Sequence, residues 1–217
     1  MGDGGVRMSQ TNRDDAKADR AAAIKQAAVE VFAEHGYHAA KVSMIVHRVG
    51  VAQGTFYLYY KSKQEIFDEI LGDFLGLFQD SVVTWEVGSF ETVEALRAGL
   101  MSLGETLLRV LVENRDLTRI FFMESLNSLP EFKARIDAFY RDLADVMTGI
   151  NRINHQLGLL RDQDFQVLAY CTMGMVERNI QQTIVLPDEP PTMEEMRVIV
   201  ETIVDLFLYG ASAAQKR

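Results

Sequence analysis

The chain has 217 residues, 48% hydrophobic and 24% charged, with a formal charge of -9; it is long enough for one large domain or two small ones and too apolar for a disordered polymer. The single cysteine, Cys171, excludes an internal disulfide framework and fits a reducing cytoplasm. The longest charge-free runs, Val49–Tyr60 and Phe165–Val176, are twelve residues each, short of the ~20 apolar residues of a spanning helix, so a soluble, cytoplasmic protein with no membrane partner is expected.

In chain order, residues 1–15 are Gly-rich and polar and read as a flexible tail. Ile24, Ala27, Ala28, Val31 and Phe32 then form an i, i+3, i+4 stripe, and Gly36 ends that helix. A short helix through "VSMIVHRV" turns Val42, Ile45, Val46 and Val49 inward and stops at Gly50, which tolerates the left-handed conformation of a tight turn. A second runs through about "QGTFYLYY". Two short helices joined by a Gly-containing turn make a helix-turn-helix, whose second helix enters the major groove of DNA. "SKQE" reads as a capping box for the next helix, with Ser62 as cap and Glu65 reaching back.

Three more stripes follow. Phe67, Ile70, Leu71, Phe74, Leu77 and Phe78 belong to the helix opened by Ser62; Leu96 to Leu111 and Phe132 to Ile153 mark two others. In the last two helices, about 163–186 and 193–210, apolar residues surround most of the circumference. One core-facing stripe does not need so many. They read as the halves of a four-helix homodimer interface, or as central helices of a monomeric bundle. The intervening "LPDEPPT" makes them antiparallel. No segment alternates long enough for a strand. An all-α fold of about nine helices is predicted: a helix-turn-helix domain at 16–63, linked through helix 63–80 to a bundle within 64–217.

Charge separates the two parts. Residues 1–63 carry nine Lys/Arg against six Asp/Glu, and residues 64–217 thirteen against twenty-five. No Asp or Glu occurs from His35 to Gln64, where Lys41, Arg48, Lys61 and Lys63 lie. A basic head on an acidic body points to a polyanion at the head alone. Lys63 opens a helix against the macrodipole, which makes sense if ammonium and helix N-terminus share a phosphate.

The segment from about Lys17 to Phe78 resembles the DNA-binding domain of the TetR family of bacterial transcription regulators, through "AAVEVFAEHGY", "VSMI" and "VGVAQGTFYLYYKSKQEIF". The resemblance implies that Tyr57, Tyr59 and Lys63 meet phosphates, with Lys41 and Ser43 as further backbone contacts. It places Gln53 and Thr55 at base edges, where Gln pairs with adenine and a Thr methyl touches thymine. Gly54 lets the backbone approach the DNA, Leu58 packs on a thymine methyl, and Phe56 and Tyr60 are core. Ala40 and Ala52 stand where the family usually has capping hydroxyls, and Val46 and Val49 replace usual alanines.

The body would then bind an effector. Met101, Leu107, Phe121, Phe122, Phe139, Met147, Tyr170, Met173 and Glu177 are the candidate contacts, within a wider apolar set that includes Leu103, Met123, Leu126 and Met175; methionine adapts to many ligand shapes. Arg119, Glu124, Tyr140, Arg178, Asn179 and Gln181 are candidate orienting groups. Catalytic patterns fail on spacing. Gly99 lies three residues before Ser102, not the two of a nucleophile elbow, and Gly99–Gly104 continues with Glu105 rather than Lys. His35, His38, His47, His155 and Cys171 have no metal-ligand spacing. Neither enzyme activity, cofactor nor metal is predicted. The expected function is a homodimeric repressor released from a palindromic double-stranded DNA operator by a small hydrophobic or amphipathic effector; the alternative is an effector-independent architectural protein with the same head.

Overall fold

The computed structural model describes residues 4–83, 90–127 and 130–211. Among them are nine α-helices: α1 Gly4–Ala39, α2 Val42–Val49, α3 Gln53–Phe56, α4 Lys63–Val83, α5 Val93–Glu113, α6 Arg115–Asn127, α7 Pro130–Gln156, α8 Phe165–Ile180 and α9 Met193–Ala211. A π-helical turn, Gln181–Val185, extends α8. The chain forms two compact units, Met1–Asp73 and Phe74–Arg217. The boundary therefore falls inside α4, ten residues beyond the expected head limit at residue 63.

Helical backbone begins at Gly4, where a flexible tail was expected. The run from Ala16 to Ala28 is rich in Ala, Lys, Arg and Gln, strong helix formers, and no proline interrupts it upstream. At Gly36 the backbone leaves the helix (φ 73°, ψ 160°), as the expected stop requires.

The first unit closes on Ile24, Ala28, Phe32, Ile45, Phe56, Ile66 and Phe67, all under 3% exposed. Phe32 meets Phe67 edge-on at 5.4 Å, and Tyr37 lies 4.6 Å from Phe67, geometries favoured by the ring quadrupoles. Lys25 on α1 bridges Asp73 at 2.8 Å and Glu69 at 2.9 Å on α4. The bond to Asp73, more than that to Glu69, raises the Lys25 ammonium above its usual range.

The second unit is a helical bundle around an internal space. Thr92 caps α5 through the Ala95 amide, and Asp164 caps α8 through the Gln166 and Val167 amides. Thr192 and Glu195 cap α9 reciprocally, a true capping box. Arg97 on α5 pairs with Asp205 at 2.7 Å and Glu201 at 2.8 Å on α9. At Gly104 the helices are so close that a Cβ would stand 2.5 Å from Val200 Cγ1. Arg115 at the start of α6 donates to the carbonyls of Ile184 (3.0 Å), Asp188 (2.7 Å) and Pro187. One guanidinium thus gathers the orphan carbonyls where α8 and its π turn end. No described helix is long and apolar enough to cross a membrane.

Candidate functional site

The turn between α2 and α3 is built by Gly50 (φ 76°, ψ 35°). Its amide donates to Val46 O at 3.0 Å and His47 O at 3.2 Å, and the Val51 amide returns to Val46 O at 3.0 Å. This double closure needs a left-handed residue, which glycine supplies without a Cβ clash. The regular α-helix of α3 is a single turn, shorter than the eight residues expected. It continues as a turn in which Leu58, Tyr59 and Tyr60 amides donate to Thr55 and Phe56 carbonyls. Ala52 is its N-cap and makes no side-chain cap bond, as its missing hydroxyl dictates. The N-cap of α2 is Lys41, not Ala40; Ala40 is buried.

One face of this unit gathers most of the expected DNA contacts. Lys41, Ser43, Gln53, Gly54, Tyr57 and Leu58 are exposed, while Thr55 and Tyr59 are half-buried. Leu58 is 75% exposed and Tyr57 52%, whereas Phe56 and Tyr60 are 0% and 5%. The two core rings of "FYLYY" are thus its ends, four residues apart, with the surface side chains between them. A Cβ on Gly54 would meet no protein atom within 4 Å, so nothing in the fold requires glycine there.

Two basic residues of the head are engaged within the protein. The Lys63 ammonium donates to Tyr37 O (2.6 Å), Ala40 O (2.9 Å) and His38 O (3.4 Å) and sits 4.3 Å from the centre of the Tyr37 ring. These carbonyls of the segment that follows the Gly36 break hold the ammonium in an internal clasp, where the expectation was a phosphate contact. Sequence reading weighed only the local dipole cost and missed carbonyls 23 to 26 residues upstream. Arg48 is held by Glu34 in a bidentate pair, both bonds 2.7 Å, with Glu30 at 3.4 Å. Glu34 draws the guanidinium upward in pKa and is itself lowered by it. The capping box at α4 is also modified. Ser62 Oγ accepts from the Glu65 amide at 3.1 Å, but the Glu65 carboxylate accepts from the Lys61 amide, one residue before the cap.

The second unit holds a cavity of about 240 Å³. Leu107, Phe121, Phe122, Phe139, Met147, Met173 and Glu177 line it, as does Leu103. Met101 and Tyr170 do not. Tyr170 is 51% exposed, as is Val167 one turn before it at 55%, so both lie on the outer face of α8. Met123 is exposed and Met175 lies outside the lining; the side chains of Glu124 and Leu126 lie outside the described residues. Of the polar candidates, Tyr140 and Asn179 reach the wall, and Arg119, Arg178 and Gln181 do not. Phe121 stacks on Phe74 at 4.7 Å and meets Phe139 edge-on at 5.9 Å, giving the space an aromatic floor. Burial pushes the Glu177 carboxyl up, and it pushes the Tyr140 hydroxyl up, with Glu177 adding to the effect. Sequence reasoning missed Asn151 and Thr172, both in the wall. The signal was available for Asn151, which stands four residues after Met147 on the apolar stripe of α7.

Residues 24–70 match the family model described as "Bacterial regulatory proteins, tetR family". The chain is 30% identical over 188 residues to the uncharacterized HTH-type transcriptional regulator YdgC of Bacillus subtilis (strain 168), an alignment that spans 86% of this chain and 90% of that protein. The chain belongs to the TetR family. It is a DNA-binding regulator, and its family is one of transcription factors rather than enzymes. The regulator is also 27% identical to the Fatty acid metabolism regulator protein of the same organism, over 86% of this chain and 93% of that one. A Bacillus subtilis FadR crystallised with stearoyl-CoA shares the fold with a TM-score of 0.66 and 23% identity, over 87% of this chain and 97% of the other.

Proposed function

We propose that the protein is a homodimeric repressor that leaves a palindromic operator when a small hydrophobic or amphipathic ligand enters the body. The single observation that carries this reading is the cavity of about 240 Å³ with leucine, methionine and phenylalanine walls. Interiors normally pack to crystal density, so an apolar space of this size is a binding feature. A relative named for fatty acid metabolism and a fold neighbour holding stearoyl-CoA support the ligand class.

On the head, Gln53, Thr55 and Leu58 are the base-reading set, and Lys41, Ser43, Tyr57 and Tyr59 the phosphate set. At Gly54 the bare backbone lies open on this surface, with no protein atom within 4 Å of where a Cβ would stand, which leaves room for close approach of a DNA strand. Pairing through α8 and α9 is supported by what they leave exposed. Val167 and Tyr170 lie outward on α8, and Val198, Leu206 and Tyr209 recur at helical spacing on α9. A contiguous apolar face of this kind marks an interface. Such a dimer presents two reading heads, and a ligand that binds the released form better shifts the equilibrium by its differential affinity. The architectural alternative has no use for the cavity.

The test is selection of binding sites from random duplexes, with the mass of the complex measured and long-chain acyl compounds then added. A palindrome bound by one dimer and released by the compounds is expected. Tight binding without sequence preference, indifferent to every hydrophobic compound, would leave the architectural reading in its place.

A further inference from the structure

The cavity has a chemical polarity that its size does not explain. Among its described lining residues there is no Lys, Arg or His, and the only ionisable side chains are Glu177 and Tyr140. An anion placed there would lose its water, find no counter-charge and face a carboxyl group. Burial already holds that carboxyl above its usual range, which marks the space as hostile to negative charge.

One group in the wall has the opposite preference. Asn151 is 4% exposed, and its Nδ2 has no hydrogen-bond partner. A buried amide without an acceptor costs free energy comparable to a lost hydrogen bond. The other amide in the wall, Asn179, is already engaged: its Nδ2 donates to Met175 O at 2.9 Å. Thr172 likewise donates to Leu168 O at 2.9 Å. Tyr140 also brings a hydroxyl to the wall, but Asn151 is the wall amide whose donor has no partner of its own.

We infer that Asn151 anchors the ligand by donating to an uncharged oxygen, a carbonyl or hydroxyl, on an otherwise hydrocarbon molecule, and that the cavity refuses the matching free carboxylate. This rests on the ligand-binding reading above and narrows it. Long-chain esters, thioesters and alcohols share the required chemistry, whereas free fatty acids at neutral pH do not.

The experiment uses the full-length protein and a matched series at neutral pH: decane, decan-1-ol, methyl decanoate and decanoate. Affinity is read by displacement of a hydrophobic fluorophore, and by thermal shift. The ester and the alcohol are expected to bind about tenfold or more tighter than decanoate, because the anion gives up its hydration with no counter-charge to replace it. They should bind severalfold tighter than decane, by about one net hydrogen bond. Asn151→Leu should remove the advantage of ester over decane while raising the melting temperature of the ligand-free protein, because it deletes an unmatched donor. Asn151→Ser, which keeps a donor, should retain part of that advantage, and Glu177→Gln should narrow the gap between ester and decanoate. Decanoate binding as tightly as the ester would overturn the inference and leave the regulator reading intact. So would an equal loss for decane and ester in both Asn151 variants, which signals packing alone. If not even decane binds, the ligand-binding reading falls, and this inference with it.

Discussion

The two units of this chain treat their polar side chains differently. In Met1–Asp73 the cations that pair within the unit do so at or near its surface: Lys63 closes on three carbonyls, Arg48 on Glu34, and Lys25 on Asp73 and Glu69. Among the described residues, the buried side-chain atoms that lack a partner fall in Phe74–Arg217, on Arg119, Thr148, Asn151, Asn154 and Gln163, and so does the apolar cavity. A unit that reads DNA must hold its side chains in one arrangement, which matched polar groups and close packing enforce. A unit that answers a guest must have something unfinished for the guest to complete. The contrast lies in what each core leaves unmatched.

The sharpest break of that contrast would come at the outer face of the body. Leu206→Glu is expected to abolish the dimer, since two unpaired carboxylates in an apolar interface cost about 3–5 kcal/mol; sedimentation should then show monomers and operator binding should vanish. A dimer of unchanged mass would place the interface elsewhere. Packing comes next. Phe56→Ala should destabilise the head by about 3–5 kcal/mol, whereas Met173→Ala, beside existing empty space, should fall at or below ~2 kcal/mol, the low end for such truncations. Equal losses in denaturant unfolding would erase the difference between a full core and a hollow one.

The clasp yields a smaller effect of distinctive form. Lys63→Met should cost the head about 1.5–3 kcal/mol, the range for hydrogen bonds to a charged group, while leaving the salt dependence of DNA binding unchanged. A slope lower by one phosphate per subunit would return Lys63 to the DNA surface. Gln53→Ala should relax preference at one base position per half-site by about 1–3 kcal/mol, and equal weakening on random DNA would remove it from the base-reading set. Least of all, Lys41→Ala should weaken every sequence alike and reduce the salt slope by roughly 0.9 per subunit.

Much of the head was legible in advance because its rules are local. The Gly36 stop and the left-handed Gly50 follow from glycine's missing Cβ, and the inward Phe56 and Tyr60 are as the family resemblance implied. Seven of the nine candidate cavity residues, chosen mainly for their apolar and adaptable side chains, line the space. Tyr170 was misplaced because α8 is apolar on both faces, so period alone does not say which is inside. Asn151 was passed over because one polar residue on a stripe looks like an interruption until the surrounding space is known.

The sequence by itself determined the all-helical class, the family, the turn chemistry of the head and the separation of a basic reader from an acidic body. Each depends on residues a few positions apart or on composition, and needs no knowledge of distant partners. Only the tertiary structure decided that Lys63 and Arg48 are tied to α1 and its end, that α8 and α9 keep an apolar face outward, and that the body encloses a space with one unsatisfied donor. Those facts are set by which groups meet after the chain has folded, and a charge or an amide takes its role from its nearest partner in space.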